Sequence, residues 1–157
     1  MTLYSEVGIG TSFKIFLPAT DRATEEGDSP EEVEDVASTG ETVLLVEDEA
    51  AVRSACKRIL ERAGFNVVEA STGADALNEP HGHVDLLLTD VVMPGGVSGK
   101  ELADSLQASQ PDLKVVFMSG YNADVIATRG ILDPGISIIE KPFTTSDLLS
   151  KVREVLV

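Results

Sequence analysis

The residues able to do chemistry in this chain stand at the ends of short apolar runs. Residues 43–46 (VLLV) lead into Glu47, Asp48 and Glu49, and residues 86–88 (LLL) into Thr89 and Asp90. Residues 115–118 (VVFM) lead into Ser119 and Gly120, and residues 136–139 (ISII) into Glu140, Lys141 and Pro142. As neighbouring parallel strands, these runs would bring Glu47, Asp48, Asp90, the Ser119 hydroxyl and the Lys141 ammonium into one crevice. That crevice, beyond the carboxyl ends of the strands, is where open α/β sheets bind ligands. Crowded carboxylates repel and raise one another's pKa unless a cation joins them. Oxygen donors without His or Cys nearby favour a hard ion that keeps its waters, so Mg2+ is expected rather than Zn2+. A carboxylate beside Mg2+, facing an ammonium and a hydroxyl, suits phosphoryl transfer, with Asp as nucleophile and an acyl phosphate as product. The pattern therefore suggests a phosphorylatable Asp.

The elements that must position these groups are legible from periodicity. Short apolar runs, with 67–68 (VV) as a fifth, read as buried parallel strands. Between them lie helical patterns. Val52, Ala55, Cys56, Ile59, Leu60 and Ala63 form one stripe closed by Gly64, and a short pattern over 74–77 stops at Pro80. A third helix opens at Ser98 with Glu101 at capping-box spacing and ends before Pro111; a fourth spans 123–128. The last starts near 144–147 and carries Leu148, Leu149, Val152, Val155 and Leu156. Five strands alternating with five helices predict a doubly wound α/β domain, flavodoxin-like (βα)5, with a parallel sheet in the order 2-1-3-4-5.

Composition narrows the function class. The 157 residues carry 27 acids against 12 Lys and Arg, a net charge of −15, and 43% are hydrophobic. That is enough apolar content for a core of ordinary size. The charge repels phosphate backbones, and five Phe, two Tyr and no Trp offer few stacking platforms, so no nucleic-acid partner is expected. A single cysteine, no apolar stretch near the ~20 residues of a membrane span and no signal-peptide pattern point to a cytoplasmic setting without membrane contact. Residues 19–40 carry eight acids and one base among Gly, Pro, Ser and Thr, the composition of an acidic flexible linker. Before them, residues 1–18 read as two extended pieces around a Gly-rich turn, too short for a core of their own. The compact domain is expected over 41–157.

Four motifs in order carry a resemblance across residues 42–157: TVLLVEDE, VDLLLTDVVMPGG, VVFMSGY and IIEKPF. Together they resemble the response-regulator receiver domain of two-component signalling. The resemblance implies that Asp90 accepts a phosphoryl group from a phosphohistidine. It implies that Asp48, Asp90 and the Val92 backbone carbonyl bind Mg2+ with Glu47 assisting, that Ser119 and Lys141 engage the phosphoryl oxygens, and that a cis peptide precedes Pro142. Such a domain is not a stand-alone turnover enzyme; it catalyses its own Asp phosphorylation and slow dephosphorylation. Residues 1–18 (YSEVGIGTSFKIFLP within them) resemble the end of a histidine-kinase ATP-binding domain, so the chain reads as the C-terminal part of a hybrid sensor histidine kinase. The kinase's own phosphorylatable His and remaining ATP motifs are not in this sequence, and ATP-driven self-phosphorylation is not expected. With nothing after Val157, the readout is expected through a partner: a histidine kinase, a His-phosphotransfer protein, a downstream regulator, or a phosphorylation-dependent homodimer.

Other readings weigh less. A haloacid-dehalogenase-type phosphatase needs an Asp two residues after its nucleophile, where Val92 stands. A dinucleotide fold wants a Gly- or Ser/Thr-rich cradle after the first strand, where Glu47-Asp48-Glu49 would repel phosphate. A receiver-like docking scaffold without turnover is opposed by the intact set of acids, hydroxyl and Lys. His81 and His83 read as a solvated loop, Cys56 as core, and Gly8-Ile9-Gly10-Thr11 as a hairpin turn. Ile138 departs from the aromatic residue usual three before the family's Lys, so switching is expected to run through Ser119, Tyr121 and the fourth helix. Val92 and Tyr121 stand where polar residues would help position an attacking water. The Asp90 acyl phosphate is therefore expected to outlast seconds in a chase of the phosphorylated protein; decay within seconds would contradict this.

Overall fold

The computed structural model describes residues 2–6, 8, 10–14, 40–78, 82–93, 96–120 and 136–157. Two units separate, Met1–Glu34 and Asp35–Val157. In the first, β1 (Thr2–Glu6) and β2 (Gly10–Lys14) pair antiparallel, from Thr2↔Lys14 to Glu6↔Gly10. Gly8 and Gly10 have φ of 81° and 123°, a conformation that only glycine adopts at little cost. The Gly-rich segment therefore turns as a hairpin, as the sequence suggests.

The second unit contains β3 (Thr42–Val46), α1 (Ala50–Arg62), β4 (Asn66–Ala70), α2 (Gly73–Asn78), β5 (Leu86–Asp90), α3 (Gly99–Ser109), β6 (Lys114–Ser119), β7 (Ser137–Glu140) and α4 (Thr145–Leu156). The five strands of this unit form one parallel sheet in the order β4-β3-β5-β6-β7, the 2-1-3-4-5 order expected from the alternation of strands and helices. The helix expected over 123–128 lies outside the described residues, as do Pro80 and His81. Among the described residues no helix is long and apolar enough to cross a membrane.

Strand alternation sends successive side chains to opposite faces. Leu44, Val46, Leu87 and Phe117 bury with Ala76, Leu102 and Ala103, the contribution of α2 and α3. Val43, Leu45, Leu86, Leu88, Val116 and Met118 bury with Cys56, Leu60, Leu148, Leu149 and Val152, the contribution of α1 and α4. Runs apolar at every position are what a sheet covered on both faces requires. Each fully buried Leu or Val contributes about 1.5–3 kcal/mol relative to exposure. Cys56 belongs to this core; burial and the negative Glu47 push its thiol up to about 11, so it stays a protonated packing group.

The helices start where their caps allow. Ser98 accepts a hydrogen bond from Glu101 N at 3.3 Å and its own amide donates to Glu101 Oε2 at 2.8 Å, a complete capping box. Thr144 and Asp147 repeat the arrangement at the start of α4. At α3 the cap sets a close approach: a Cβ on Gly99 would lie 2.0 Å from the Asp90 carbonyl oxygen. Gly99→Ala is therefore expected to destabilise the fold by about 2 kcal/mol or more in urea unfolding, through the overpacking of a closed site. Gly120→Ala, which meets nothing within 4 Å, should leave the midpoint nearly unchanged. Equal effects of the two would contradict the close contact at Asp90.

Candidate functional site

Strand register alone brings the chemistry together. Val46 pairs with Thr89, so the next residues, Glu47 and Asp90, emerge side by side. Asp90 in turn pairs with Met118, and Ser119 with Glu140, so Ser119 and Lys141 follow along the same sheet edge. The Lys141 amide donates to the Ser119 carbonyl at 2.7 Å, tying the last two of these ends together.

Carboxylate oxygens of Glu47, Asp48 and Asp90 lie within 4.8 Å of one another. The three differ in exposure: Glu47 is buried at 1%, Asp90 is half-buried and Asp48 is exposed. Lys141 Nζ donates to Glu47 Oε2 and to Asp90 Oδ2, each at 2.7 Å, so one ammonium bridges two acids. The second oxygen of each acid is held by backbone. Asp90 Oδ1 accepts from the Val92 amide at 3.1 Å, and Glu47 Oε1 accepts from the Glu49 amide at 3.3 Å. Ser119 is buried at 2%. The peptide between Lys141 and Pro142 is cis, as the resemblance implies.

Burial drives the Glu47 carboxyl above the usual value of 4.5, and the charge of Asp90 adds to the rise; Lys141 opposes both by hydrogen bond and charge. For Lys141, burial pulls the ammonium down, but the hydrogen bonds and charges of Asp90 and Glu47 outweigh it and hold the pKa above the usual 10.5. Three carboxylates against one ammonium leave two negative charges in excess. A divalent cation would cancel them, and an all-oxygen donor set with one exposed member suits a hard ion that keeps some of its water. The described residues therefore fit Mg2+.

Each site residue read from the sequence lies at this sheet edge. Glu47, Asp48, Asp90 and Lys141 converge directly; Ser119 follows Met118, the register partner of Asp90; and Val92 sits in the turn after β5, its side chain 62% exposed. Tyr121 lies outside the described residues. Ile138 is half-buried against the α2–α3 side of the core, where an aromatic switch would have stood. His83 is 78% exposed and 3.2 Å from Asp85, at the amino end of β5 and so at the other end of the sheet, which agrees with a solvated loop. Three contributors were not read from the sequence. Thr89, fully buried, donates its hydroxyl to the Asp90 carbonyl at 3.1 Å. Gly99 makes room for that same carbonyl. Arg53 Nη1 donates to the Glu47 and Asp48 carbonyls at 2.7 and 3.4 Å, and its place four residues after Glu49 on a helix was the available signal.

Comparison with known proteins places this geometry in context. Residues 43–153 match the family model of the response regulator receiver domain. The chain is 40% identical over 163 residues to the sensor kinase CckA of Brucella abortus, covering 97% of this chain and 17% of that kinase's length. A crystal structure of a response regulator receiver protein from Sinorhizobium medicae superposes with a TM-score of 0.66 at 31% identity, over 75% of this chain and 95% of that one. The receiver domain of the hybrid histidine kinase CckA superposes with a TM-score of 0.61 at 34% identity, over 74% of this chain and 99% of that one.

The bridge made by Lys141 has a pH signature. A carboxyl whose folded pKa is raised supports folding fully below its unfolded pKa and loses that contribution as pH rises through the folded value. Lys141, with its own pKa raised, keeps its contribution until pH exceeds the usual lysine range. Lys141→Ala leaves Glu47 buried with no ammonium, so its stability deficit against wild type should widen between about pH 5 and about pH 8 in urea unfolding. A deficit that is constant or narrows over that interval would contradict the bridge.

Proposed function

The chain belongs to the response regulator receiver domain family of two-component signalling, and from that premise we propose that Asp90 is its phosphoacceptor, serving a phosphorelay. The observation that carries the reading is the Lys141 ammonium, 2.7 Å from both Glu47 and Asp90 and within the same acidic cluster as Asp48. Glu47, Asp48 and Asp90, with the Val92 backbone carbonyl, would hold Mg2+. When bound, that ion supplies positive charge against the oxygens of the incoming phosphoryl group.

The Asp90 carboxylate attacks phosphorus in line. A new O–P bond forms as the P–N bond to the donor histidine breaks, and the departing imidazole takes its proton from solvent. The amide of Val92 steadies Asp90 Oδ1, and Thr89 and Gly99 fix the carbonyl behind it. Lys141, already aimed at Asp90 Oδ2, offsets charge on the transferring group, and the Ser119 hydroxyl donates to one of its oxygens. Phosphorylation replaces a singly charged carboxylate by a group of about −1.5 to −2. Lys141 is then drawn from Glu47 toward the phosphoryl oxygens, and the backbone tie between Lys141 and Ser119 carries the change into β6 and β7.

The donor would be a histidine kinase or a His-phosphotransfer protein, in the cytoplasm, with a partner-binding face or a phosphorylation-dependent homodimer as readout. The likeness to a sensor kinase over nearly the whole chain supports placing it in a hybrid histidine kinase. There residues 1–18 would close the ATP-binding domain, 19–40 would act as the linker and 41–157 as the receiver.

Intact-mass spectrometry after incubation with Mg2+ and acetyl phosphate tests the reading. One hydroxylamine-labile phosphoryl adduct is expected on wild type and none on Asp90→Ala. An adduct that survives in Asp90→Ala, or none on wild type supplied with its cognate phosphohistidine donor, would reject Asp90 as acceptor.

A further inference from the structure

Among the described residues, Arg53 reaches the acidic turn without bonding any of its carboxylates. Its Nη1 spans the main-chain carbonyls of Glu47 and Asp48, at 2.7 and 3.4 Å. The stem is anchored in the first turn of α1, where the Arg53 amide donates to the Glu49 carbonyl at 2.9 Å. The other edge of the guanidinium faces β4: Nε lies 4.0 Å from Glu69 Oε2, while Lys57 Nζ donates to Glu69 Oε1 at 3.1 Å. The Arg53 side chain is 19% exposed, and its short bond to the Glu47 carbonyl is partly buried, whereas Glu69 is 42% exposed.

The choice of acceptor matters. A guanidinium paired with the Glu47 or Asp48 carboxylates would occupy the oxygens a cation needs and cancel the charge that attracts it. Bound to carbonyls, Arg53 fixes the backbone on which those carboxylates are carried and occupies none of their oxygens. Glu49 at the N-cap of α1 makes no side-chain cap bond, and the Glu47 amide reaches the Ala70 carbonyl at 3.3 Å, so Arg53 adds its hold at the carbonyls of the turn. The outer strand β4 places no carboxylate in the cluster, but its Glu69 lies beside the guanidinium.

Resting on the reading of Glu47, Asp48 and Asp90 as a divalent-cation site, we infer that Arg53 is a positioning residue that sets the affinity of that site by clamping the Glu47–Asp48 turn through its carbonyls. The clamp reduces the ordering that cation binding would otherwise require of two adjacent, mutually repelling acids. Losing a group that orients metal-binding residues typically costs 10- to 100-fold in affinity.

The test compares full-length wild type, Arg53→Met and Arg53→Lys, titrated with Mg2+ alone and followed by amide NMR. Amide hydrogen exchange and urea midpoints are measured on the same metal-free proteins. Arg53→Met is expected to bind Mg2+ about tenfold more weakly or worse. Its exchange should rise at residues 47–50 and stay unchanged in β5 and β6. Arg53→Lys, which keeps a donor on a stem of similar length, should lie between; it carries the test if the Met variant proves unstable. Affinities of both variants within twofold of wild type would overturn the inference while leaving the cation site standing. A weakening matched by faster exchange throughout the sheet would also overturn it, since Arg53 would then be supporting the fold. A wild type that takes up no Mg2+ would overturn the cation-site reading, and the inference with it.

Discussion

A single ammonium holding two carboxylates, one of them almost wholly buried, is the constraint around which the sheet edge is arranged. Glu47 could not remain ionised at 1% exposure without a close positive charge, because desolvation of a lone carboxylate outweighs any packing it brings. Lys141 provides that charge but is shared with Asp90, and Asp48 adds a further negative group. The site is thus left short of positive charge by design of its residues. A structure built only for stability would pair these acids or replace them; a structure built to attract a divalent cation and a phosphoryl group keeps the deficit.

The rest of the fold serves to hold that imbalance in place. Parallel register fixes the relative heights of the ends of β3, β5, β6 and β7, and helices on both faces make the strands rigid by burying every residue of VLLV and LLL. Close packing then works on the main chain of the acceptor. The buried Thr89 hydroxyl and the missing side chain at Gly99 converge on the Asp90 carbonyl, while its carboxylate is held separately by the Val92 amide and Lys141. Arg53 does for the Glu47–Asp48 turn what Thr89 and Gly99 do for Asp90. In each case a backbone oxygen is held without drawing on the side-chain oxygens of the acids.

Much of this could be read in advance, and the reasons are physical. Strands buried on both faces leave continuous apolar runs, so 43–46, 86–88 and 115–118 were visible, and the polar residues that end such runs fall at the carboxyl edge by topology. Lys141 and Asp90 were therefore legible from position alone. The edge strand β4 was visible only as Val67 and Val68, because its flanking Asn66 and Glu69 face solvent. Arg53 was missed because helix periodicity reports the apolar stripe and says nothing about which carbonyls the polar face meets. Gly99 was missed because a glycine after a capping serine reads as an ordinary first-turn residue, and only coordinates reveal the carbonyl in its way. The burial of Glu47 was likewise hidden, since an acid at a strand end reads as solvated.

The charge deficit is the central claim, and the most direct measurement is the thermal unfolding midpoint as Mg2+ is raised through the millimolar range at constant ionic strength near neutral pH. A ligand that binds only the folded state raises the midpoint by mass action. Wild type should rise and saturate, and Asp48→Asn, with one negative charge removed and the buried bridge intact, should rise much less. A wild-type midpoint that ignores Mg2+, or an Asp48→Asn protein that responds as wild type does, would show that the excess charge at this edge is not there to bind a cation.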